Sequence, residues 1–149
     1  MKNIVISGSM QFLEDMKKYS TPIEQKGFRA ILPEEDDWDS IKPEEINAYK
    51  KMVSQRHFDA IADDNTYAIL VVNNFKKGIQ NYIGANTFAE IAIAFYFGKK
   101  IFLLNDFFEP YADELVAWGA IPLKKNIEKI QWYWFFLDFE YIMQAVLLA

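Results

Sequence analysis

A single acidic residue, Glu90, lies in an otherwise apolar and small-residue stretch of the chain, NYIGANTFAEIAIAFYFGKK, between Asn81 and Lys100. A carboxylate in such surroundings can serve as a nucleophile or as a general acid or base in a buried site. It can also cap a helix, because Thr87-x-x-Glu90 matches a capping box in which Thr87 is the N-cap. The helix macrodipole favours an acid at the same position. On general grounds the cap is favoured, and a catalytic role requires a partner group and a pocket.

The cysteine and histidine content limits the chemistry that this sequence can support. The chain has no cysteine and one histidine, His57, which excludes thiolate chemistry, disulfides and metal sites rich in cysteine or histidine. His57 lies in SQRHFDAI, within a mostly polar helical segment, and is predicted to be a surface or partly buried histidine without a catalytic role. The acidic run from Glu34 to Asp39 lacks ligand spacing and predicts a solvated loop, whose Trp38 could cover a pocket or stack on a base. We therefore predict neither a metal site nor a cofactor.

The composition predicts one packed domain over residues 1–149. Hydrophobic residues make up 52% of the 149 positions and aromatic residues 17%, which is enough for a sizeable core. A formal net charge of −5 argues against nucleic acid as a partner. The first residues, MKNIVISGSM, have too short an apolar run for a signal peptide and are typical of a strand, so we expect a cytoplasmic protein.

The most apolar segment is the C-terminal run IQWYWFFLDFEYIMQAVLLA, part of a helix that we predict over residues 127–149. Asp138 and Glu140 lie near its middle, and each would cost about 2.5–3.5 kcal/mol at the centre of a bilayer. A membrane span is therefore not predicted. A helix that is apolar nearly all round is usually buried, so we expect this one to pack against the body of the protein or against a second subunit.

Strand-like and helix-like segments alternate along the chain. Five apolar runs predict strands, at residues 3–7, 28–33, 67–74, 100–106 and 120–125, and helical spacing follows between them. Pro22 is expected to kink the first helix or to restart it with Thr21 as a new N-cap. This order of elements predicts a flavodoxin-like (Rossmann-type) α/β three-layer sandwich, with a five-stranded parallel sheet in the order 2-1-3-4-5.

The polar residues and glycines that follow the strands mark the predicted site. In a flavodoxin-like sheet the ligand crevice lies at the carboxyl ends of the strands at the switch point, here the first and the third. Three segments meet there: residues 7–10, Asn73 with Asn74, and the start of the helix that carries Glu90. The connection before that helix is long for an α/β unit and carries Gly84, where the backbone can turn sharply or approach a ligand closely.

Three stretches, ISGSM, AILVVNN and YIGANTFAEIAIAFYFGKKIFLLND, together resemble the nucleoside 2-deoxyribosyltransferase family. The similarity is greatest to its uncharacterised bacterial members, extends to the related 2′-deoxynucleoside 5′-phosphate N-hydrolases, and covers roughly residues 1–122. The resemblance implies that Glu90 is a nucleophile that attacks the anomeric carbon of a 2-deoxyribosyl group, after which water or a second base resolves the covalent glycosyl-enzyme. It changes the favoured role of Glu90 from a cap to a catalytic residue, and a catalytic Glu90 could cap the helix as well.

The resemblance also implies a substrate-binding set around Glu90. The turn after the first strand would hold the sugar or a phosphate through backbone amides and serine hydroxyls, although Met10 and Gln11 stand where phosphate-using members carry an arginine. Topology makes Lys76–Lys77 the lysine pair best placed to meet the charge of a nucleotide. The predicted substrate-binding residues are Ser7, Gly8, Ser9, Met10, Asn73, Asn74, Tyr82, Gly84, Asn86 and Thr87.

A second carboxylate is harder to identify. Family members that transfer bases have an aspartate at the end of the third strand, where this chain has Asn73 and Asn74. Asparagine can orient a ligand but cannot donate a proton as a general acid. Asp106, after the fourth strand, is the best remaining catalytic candidate, and capping of the next helix is its alternative role.

We therefore predict cleavage or exchange of the base of a nucleoside or nucleotide through Glu90, with Asp106 as the second catalytic residue. Family members commonly assemble, so a homodimer or higher homo-oligomer is expected. Two alternatives stay open. A non-catalytic nucleotide-binding or sensor protein would keep the fold and the pocket, and a purely structural oligomer would bind no nucleotide. Asn73 and Asn74 favour the sensor, whereas Glu90 favours the enzyme.

Overall fold

The computed structural model describes residues 1–130. Nearly all of the predicted C-terminal helix, from residue 131 onward, lies outside the described residues. Within residues 1–130, no helix combines the length and the apolar character that crossing a bilayer requires.

Five parallel strands form one sheet in the described part of the chain: β1 (Asn3–Gly8), β2 (Arg29–Ile31), β3 (Thr66–Val72), β4 (Lys100–Leu103) and β5 (Ile121–Pro122). Their order, β2-β1-β3-β4-β5, confirms the predicted flavodoxin-like α/β arrangement. β1 and β3 are neighbours, with paired residues from Ile4↔Ala68 to Gly8↔Val72. The strand order reverses direction between β1 and β3, which makes their carboxyl ends the topological switch point.

Helices follow the strands in chain order and cover both faces of the sheet. They are α1 (Leu13–Gln25), α2 (Ile46–Ala62), α3 (Ala85–Tyr96) and α4 (Ala112–Ala117). Single turns of 3-10 helix precede three of them, at Met10–Phe12, Pro43–Glu45 and Glu109–Tyr111, and another lies at Trp38–Ser40.

The helix α1 continues through Pro22, so the prediction that it restarts there with Thr21 as N-cap is wrong. Proline lacks the amide that would bond to the carbonyl four residues earlier, which costs about 3 kcal/mol in a helix interior. Met16 and Ile23 of the same helix are fully buried. Because tertiary packing supplies most of the stability of a helix, this burial holds the last turn in place.

The side chains of the central strands alternate between two cores. Ile4, Ile6 and Leu70 join the core that contains the buried residues of α1. Val5 and Val71 face the opposite side, where they pack with buried residues of the other helices, namely Ile61, Ile91, Ala94 and Leu115. Both faces of the sheet are therefore covered, as predicted for a three-layer sandwich.

Candidate active site

A pocket of about 910 Å³ opens at the carboxyl end of β1. Its walls come from the turn after β1, the segment after β2, one side of α2, and the first turns of α3 with the loop before them. The predicted site residues that line it are Gly8, Ser9, Met10, Tyr82, Gly84, Asn86, Thr87 and Glu90. The predicted residues that the structure does not bring to its walls are Ser7, Asn73, Asn74 and Asp106.

Glu90 lies in the second turn of α3 rather than at its start. The helix begins at Ala85 with Gly84 as its N-cap, and no side chain caps it. Glu90 is therefore the sixth residue of the helix, beyond the free amides of the first turn. Thr87 is the third residue, and its side chain is buried. The capping-box interpretation of Thr87 and Glu90 is wrong.

The carboxylate of Glu90 is hydrogen-bonded to the ring of His57. Nδ1 of His57 lies 2.8 Å from Oε1 of Glu90, and the two side chains are 13% and 14% exposed. The pair bridges α2 and α3, which pack against each other. The partial burial of His57 agrees with the prediction of a surface or partly buried histidine. Its hydrogen bond to Glu90 was not part of that prediction.

The position of His57 can be read from its spacing along α2. Val53, His57 and Ile61 are four residues apart and so lie on one side of the helix. Ile61 is fully buried and Val53 lines the pocket. The same spacing places His57 on the side of α2 that faces the protein interior, although the segment as a whole is mostly polar.

Glu90 and His57 each keep one buried polar atom without a hydrogen-bond partner. Among the described residues, Oε2 of Glu90 and Nε2 of His57 have none. An unpaired buried polar group costs roughly 1–3 kcal/mol, and such groups are uncommon in folded proteins. Both atoms are covered by neighbouring atoms. The pair thus combines one internal hydrogen bond with two buried polar atoms that have no partner among the described residues.

The internal hydrogen bond determines which atoms of the pair are chemically available. An ionised carboxylate only accepts hydrogen bonds, so Nδ1 then carries the hydrogen and donates it to Oε1. The neutral ring has its lone pair on Nε2 in this tautomer. Oε2 is then the carboxylate oxygen that takes no part in this hydrogen bond, and Nε2 is the ring nitrogen that carries no hydrogen. The ring thus acts on the carboxylate as a hydrogen-bond donor, and the carboxylate is the group of the pair suited to be a nucleophile.

Lys76 brings a positive charge to the turn after β1. Its Nζ donates a hydrogen bond to Oγ of Ser9 at 2.9 Å and lies 4.7 Å from the centroid of the Tyr82 ring. All three residues line the pocket. The turn leads into the 3-10 turn Met10–Phe12 and α1, and the amides at the start of a helix favour an anion. This corner of the pocket is suited to a phosphate or to another anion.

Ser7, the penultimate residue of β1, is fully buried and does not line the pocket. It shares a strand face with Val5, which packs toward α2 and α3. Its Oγ has no hydrogen-bond partner among residues 1–130. Direct contact between Ser7 and a ligand, as predicted, therefore has no support in the pocket geometry.

Asn73 and Asn74 belong to a polar network outside the pocket. Nδ2 of the buried Asn73 donates to the carbonyl of Asp106 at 2.7 Å, and its Oδ1 accepts from the amide of Asn105 at 2.9 Å. The side chain of Asn105 donates to Oδ1 of Asn74 at 3.0 Å. Nδ2 of Asn74 in turn donates to Asp15 at 2.9 Å. The two asparagines therefore tie the end of β3 to the chain after β4 and to α1.

The structure supports neither of the two roles that were predicted for Asp106. Its carboxylate is 52% exposed, accepts a hydrogen bond from the amide of Phe107 at 2.9 Å, and lies 3.7 Å from Nζ of Lys124. The next helical turn begins at Glu109 with Phe108 as its N-cap, so the helix-cap interpretation of Asp106 is wrong. The predicted catalytic role also loses its geometric basis, because Asp106 does not line the pocket.

Asn73→Asp is expected to lower the free energy of unfolding by about 1–3 kcal/mol. The change replaces the Nδ2 donor by an oxygen that faces the carbonyl oxygen of Asp106 across 2.7 Å. It also introduces a carboxyl group at a fully buried position. Denaturant titration of both proteins measures the difference.

Asn126→Asp is the matched control for this prediction. Oδ1 of the exposed Asn126 accepts a hydrogen bond from the amide of Glu128 at 3.1 Å, and aspartate keeps an oxygen in that position. We expect the stability of this variant to be close to that of the unmodified protein. Equal stability of the two variants would contradict the structural role assigned to Asn73.

The acidic segment after β2 is folded onto α2 and forms one side of the pocket. Nη1 of Arg56 lies 2.8 Å from Glu34, and Nη2 lies 3.2 Å from Asp36. The hydroxyl of Tyr49 donates to Asp36 at 2.8 Å, and this hydrogen bond raises the pKa of Tyr49. The rings of Trp38 and Tyr49 meet edge-on, with centroids 5.2 Å apart. The segment predicted to be a solvated loop is thus paired with α2, and Trp38 lines the pocket.

Comparison with known proteins identifies a solved structure with a similar fold. No protein-family profile matches the chain, and no curated protein matches it in sequence. The chain is similar to the structure of the CMP N-glycosidase BcmB of Clostridium botulinum, with a TM-score of 0.50 and 19% sequence identity. The similarity covers 88% of this chain and 99% of that one. At this identity it shows the fold alone.

Proposed function

We propose that the protein cleaves the N-glycosidic bond of a nucleoside or nucleotide, with Glu90 as the nucleophile and His57 as the group that orients it. The observation that carries this proposal is the 2.8 Å hydrogen bond between the two side chains in the wall of the pocket. The resemblance of the Glu90 segment to the nucleoside 2-deoxyribosyltransferase family supports it. The fold shared with a CMP N-glycosidase agrees with it.

The first step of the proposed reaction joins the sugar to Glu90. Oε2 forms a bond to the anomeric carbon as the bond from that carbon to the base nitrogen breaks. The base leaves with the electron pair and takes a proton from solvent. The transition state resembles an oxocarbenium ion, which a carboxylate stabilises. The hydrogen bond from His57 to Oε1 holds the carboxylate in one orientation, so that less ordering is required in the transition state.

The size and the lining of the pocket are compatible with a nucleotide. Its volume of about 910 Å³ falls within the range of roughly 300–1,000 Å³ that small-molecule sites occupy. Trp38 and Tyr82 supply aromatic surface for the base or the sugar. Ser9 and Asn86 supply polar side chains. These groups suit a ligand with a flat ring and several hydroxyl groups.

Lys76→Ala is expected to raise the KM of a nucleoside 5′-monophosphate by about tenfold, because hydrogen bonds to charged groups contribute roughly 1.5–3 kcal/mol and solvent screens part of this. The KM of the corresponding nucleoside is expected to stay nearly unchanged, since it lacks the phosphate that would meet Nζ. Steady-state kinetics with both substrates measure the two effects.

Lys77→Ala is the matched control, since Lys77 is the exposed neighbour of Lys76 and does not line the pocket. We expect it to leave both KM values unchanged. If Lys76→Ala impairs the nucleoside and its monophosphate equally, the lysine is not a phosphate ligand.

Release of the base from a panel of substrates tests the proposed function. The purified protein is incubated with ribonucleosides, deoxyribonucleosides and their 5′-monophosphates, with and without a second free base, and the products are separated by chromatography. We expect at least one member of the panel to lose its base, and we expect no release by Glu90→Ala. If the folded protein binds a member but cleaves none, non-catalytic nucleotide binding replaces the proposal. If it binds none, the proposal is wrong.

A further inference from the structure

We infer that Trp38 is the surface on which the base of the nucleotide stacks, and that Arg56 is a positioning residue that holds Trp38 in the pocket wall. The inference rests on the substrate class of the proposed function. It concerns the binding of that substrate and does not depend on its cleavage. It assigns a role in specificity to the segment after β2, which the reaction at Glu90 does not use.

The order of the strands separates two ends of the pocket. β2 and β3 lie on opposite sides of β1, so they are two strand spacings, about 10 Å, apart. Lys76 follows β3 and contacts Ser9 and Tyr82, and these three residues form an anion corner on the β3 side. Trp38 follows β2 and lines the same pocket. The segment after β2 therefore forms the end of the pocket away from the anion corner.

Helix α2 connects the reacting carboxylate with the segment after β2. His57 of α2 bonds to Glu90, and Nη1 of the adjacent residue, Arg56, lies 2.8 Å from Glu34. In a nucleotide the phosphate and the base are attached at opposite ends of the sugar. A nucleotide with its phosphate in the anion corner and its anomeric carbon at Glu90 therefore has its base on the side of the segment after β2.

Trp38 has aromatic surface that is open to a ligand. Among the residues that line the described pocket, Trp38 and Tyr82 carry the indole and phenol rings. Nζ of Lys76 lies 4.7 Å from the centroid of the Tyr82 ring, so that ring belongs to the anion corner. Trp38 meets Tyr49 edge-on and is still 38% exposed. Every nucleobase has a flat face that stacks on an aromatic ring, so Trp38 is suited to the base.

Arg56 ties the segment that carries Trp38 to α2. Residues 32–37 belong to no helix or strand, so side-chain contacts are needed to hold them in one place. Nη2 of Arg56 lies 3.2 Å from each carboxylate oxygen of Asp36, and Nη1 contacts Glu34. The side chain of Asp36 is only 9% exposed. Because charge-assisted hydrogen bonds to a planar guanidinium are strong and directional, they fix the segment two residues before Trp38.

Replacement of Trp38 tests the contact with the base. Binding is measured by calorimetric titration with nucleoside 5′-monophosphates that carry different bases, and in every protein Glu90 is replaced by glutamine so that the ligand stays intact. Trp38→Ala is expected to weaken nucleotide binding by about tenfold or more, because stacking on an aromatic ring is lost. Trp38→Phe keeps a flat ring and is expected to bind within about threefold of the protein with Trp38.

Arg56→Ala and Asp36→Ala test the positioning role because they change the charge of the pocket in opposite directions. An effect of charge alone would weaken the binding of an anionic nucleotide in the first variant and strengthen it in the second. We expect both variants to bind about fivefold more weakly, because the segment must then be ordered when the ligand binds. Either change is expected to cause little further loss when it is combined with Trp38→Ala, since groups that act as a unit give losses that do not add.

A ligand without a base identifies the part of the nucleotide that Trp38 contacts. The sugar 5-phosphate that corresponds to the bound nucleotide is titrated as a competitor, and we expect Trp38→Ala to leave its affinity unchanged. Arg29→Ala is the matched control for Arg56→Ala, because Arg29 is the other arginine of the chain, is exposed and lies outside the pocket. We expect this control to bind nucleotides normally.

Three outcomes would overturn the inference. Normal nucleotide binding by Trp38→Ala would show that the base lies elsewhere, and an equal loss for the sugar phosphate would place Trp38 at the sugar or the phosphate. Losses from Arg56→Ala and Trp38→Ala that add on a logarithmic scale would show that Arg56 does not act through Trp38. All three outcomes leave the proposed function intact as long as Glu90→Ala abolishes base release.

Failure of the proposed function is distinguished from failure of this inference by the unmodified protein. If it binds nucleotides and cleaves none, the proposed cleavage is wrong, and the expected results for Trp38 and Arg56 would still support the inference. If it binds no nucleotide, the proposed function and the inference both fail.

Discussion

Replacing Glu90 by glutamine is expected to lower the rate of base release by about 10⁴-fold or more. Glutamine keeps the length of the side chain and an Oε1 that accepts the hydrogen bond of His57. Its neutral amide does not stabilise an oxocarbenium-like transition state and does not form a stable bond to the anomeric carbon. Time courses of base release, followed by chromatography at saturating substrate, measure the effect.

Glu114→Gln is the matched control for this prediction, since Glu114 is an exposed carboxylate on α4 outside the pocket. We expect it to release the base at the normal rate. Calorimetric titration is expected to show that Glu90→Gln still binds the nucleotide, which separates a loss of chemistry from a loss of binding. A normal rate of release by Glu90→Gln would show that Glu90 is not the nucleophile.

Removal of the His57 ring is the second change with a large expected effect. His57→Ala is expected to lower turnover by about 100-fold, because it removes the hydrogen bond that holds the carboxylate of Glu90 in one orientation. The double variant His57→Ala/Glu90→Gln is expected to be no slower than Glu90→Gln alone. Two groups that act as a unit give losses that do not add.

The four proteins of this double-mutant cycle are compared with one substrate at one pH. Losses that add on a logarithmic scale would contradict a shared role, and would mean that the two side chains act independently despite their 2.8 Å contact. Gln55 is exposed on α2 and lies outside the pocket. Gln55→Ala, placed in the unmodified and the Glu90→Gln proteins, is therefore expected to change neither rate by more than a small factor.

The order of the sheet could be predicted because its determinants are local. The runs NIVIS and YAILVV are continuous apolar segments, as expected for strands that are buried on both faces, and they lie within β1 and β3. Gly27, Gly98 and Gly119 follow helices with φ values of +86°, +66° and +73°, where glycine is strongly favoured. Glycines that end helices in this way can be recognised in the sequence.

The start of α3 could not be derived from a four-residue pattern. Thr-x-x-Glu satisfies the capping box only if the threonine side chain is free to reach the helix amides. Thr87 is 5% exposed, and Ile83 is also buried just before the helix. The chain therefore enters the helix at Gly84, three residues earlier than the pattern predicts.

The partners of the site residues could not be predicted because they are distant in sequence. His57 and Glu90 are 33 positions apart, and Lys76 and Ser9 are 67 positions apart. These contacts depend on how α2 packs beside α3 and on the path of the loop after β3. The spacing of apolar residues along the chain specifies neither. The same holds for Asn73, whose polar groups are engaged by the chain after β4.

The predicted helix over residues 127–149 and the homo-oligomer remain predictions, as does the single-domain organisation of residues 1–149. They extend beyond residue 130, where the described part of the chain ends.

The configuration of a methyl glycoside formed in the presence of methanol tests the central claim most directly. Attack by Glu90 followed by attack of methanol amounts to two displacements at the anomeric carbon, which retain its configuration. Proton NMR is therefore expected to show a β-methyl glycoside from a β-nucleotide, in a product that does not interconvert with its anomer in water. An α-methyl glycoside would contradict the account, because it would mean that solvent attacks the substrate directly and that Glu90 is not the nucleophile.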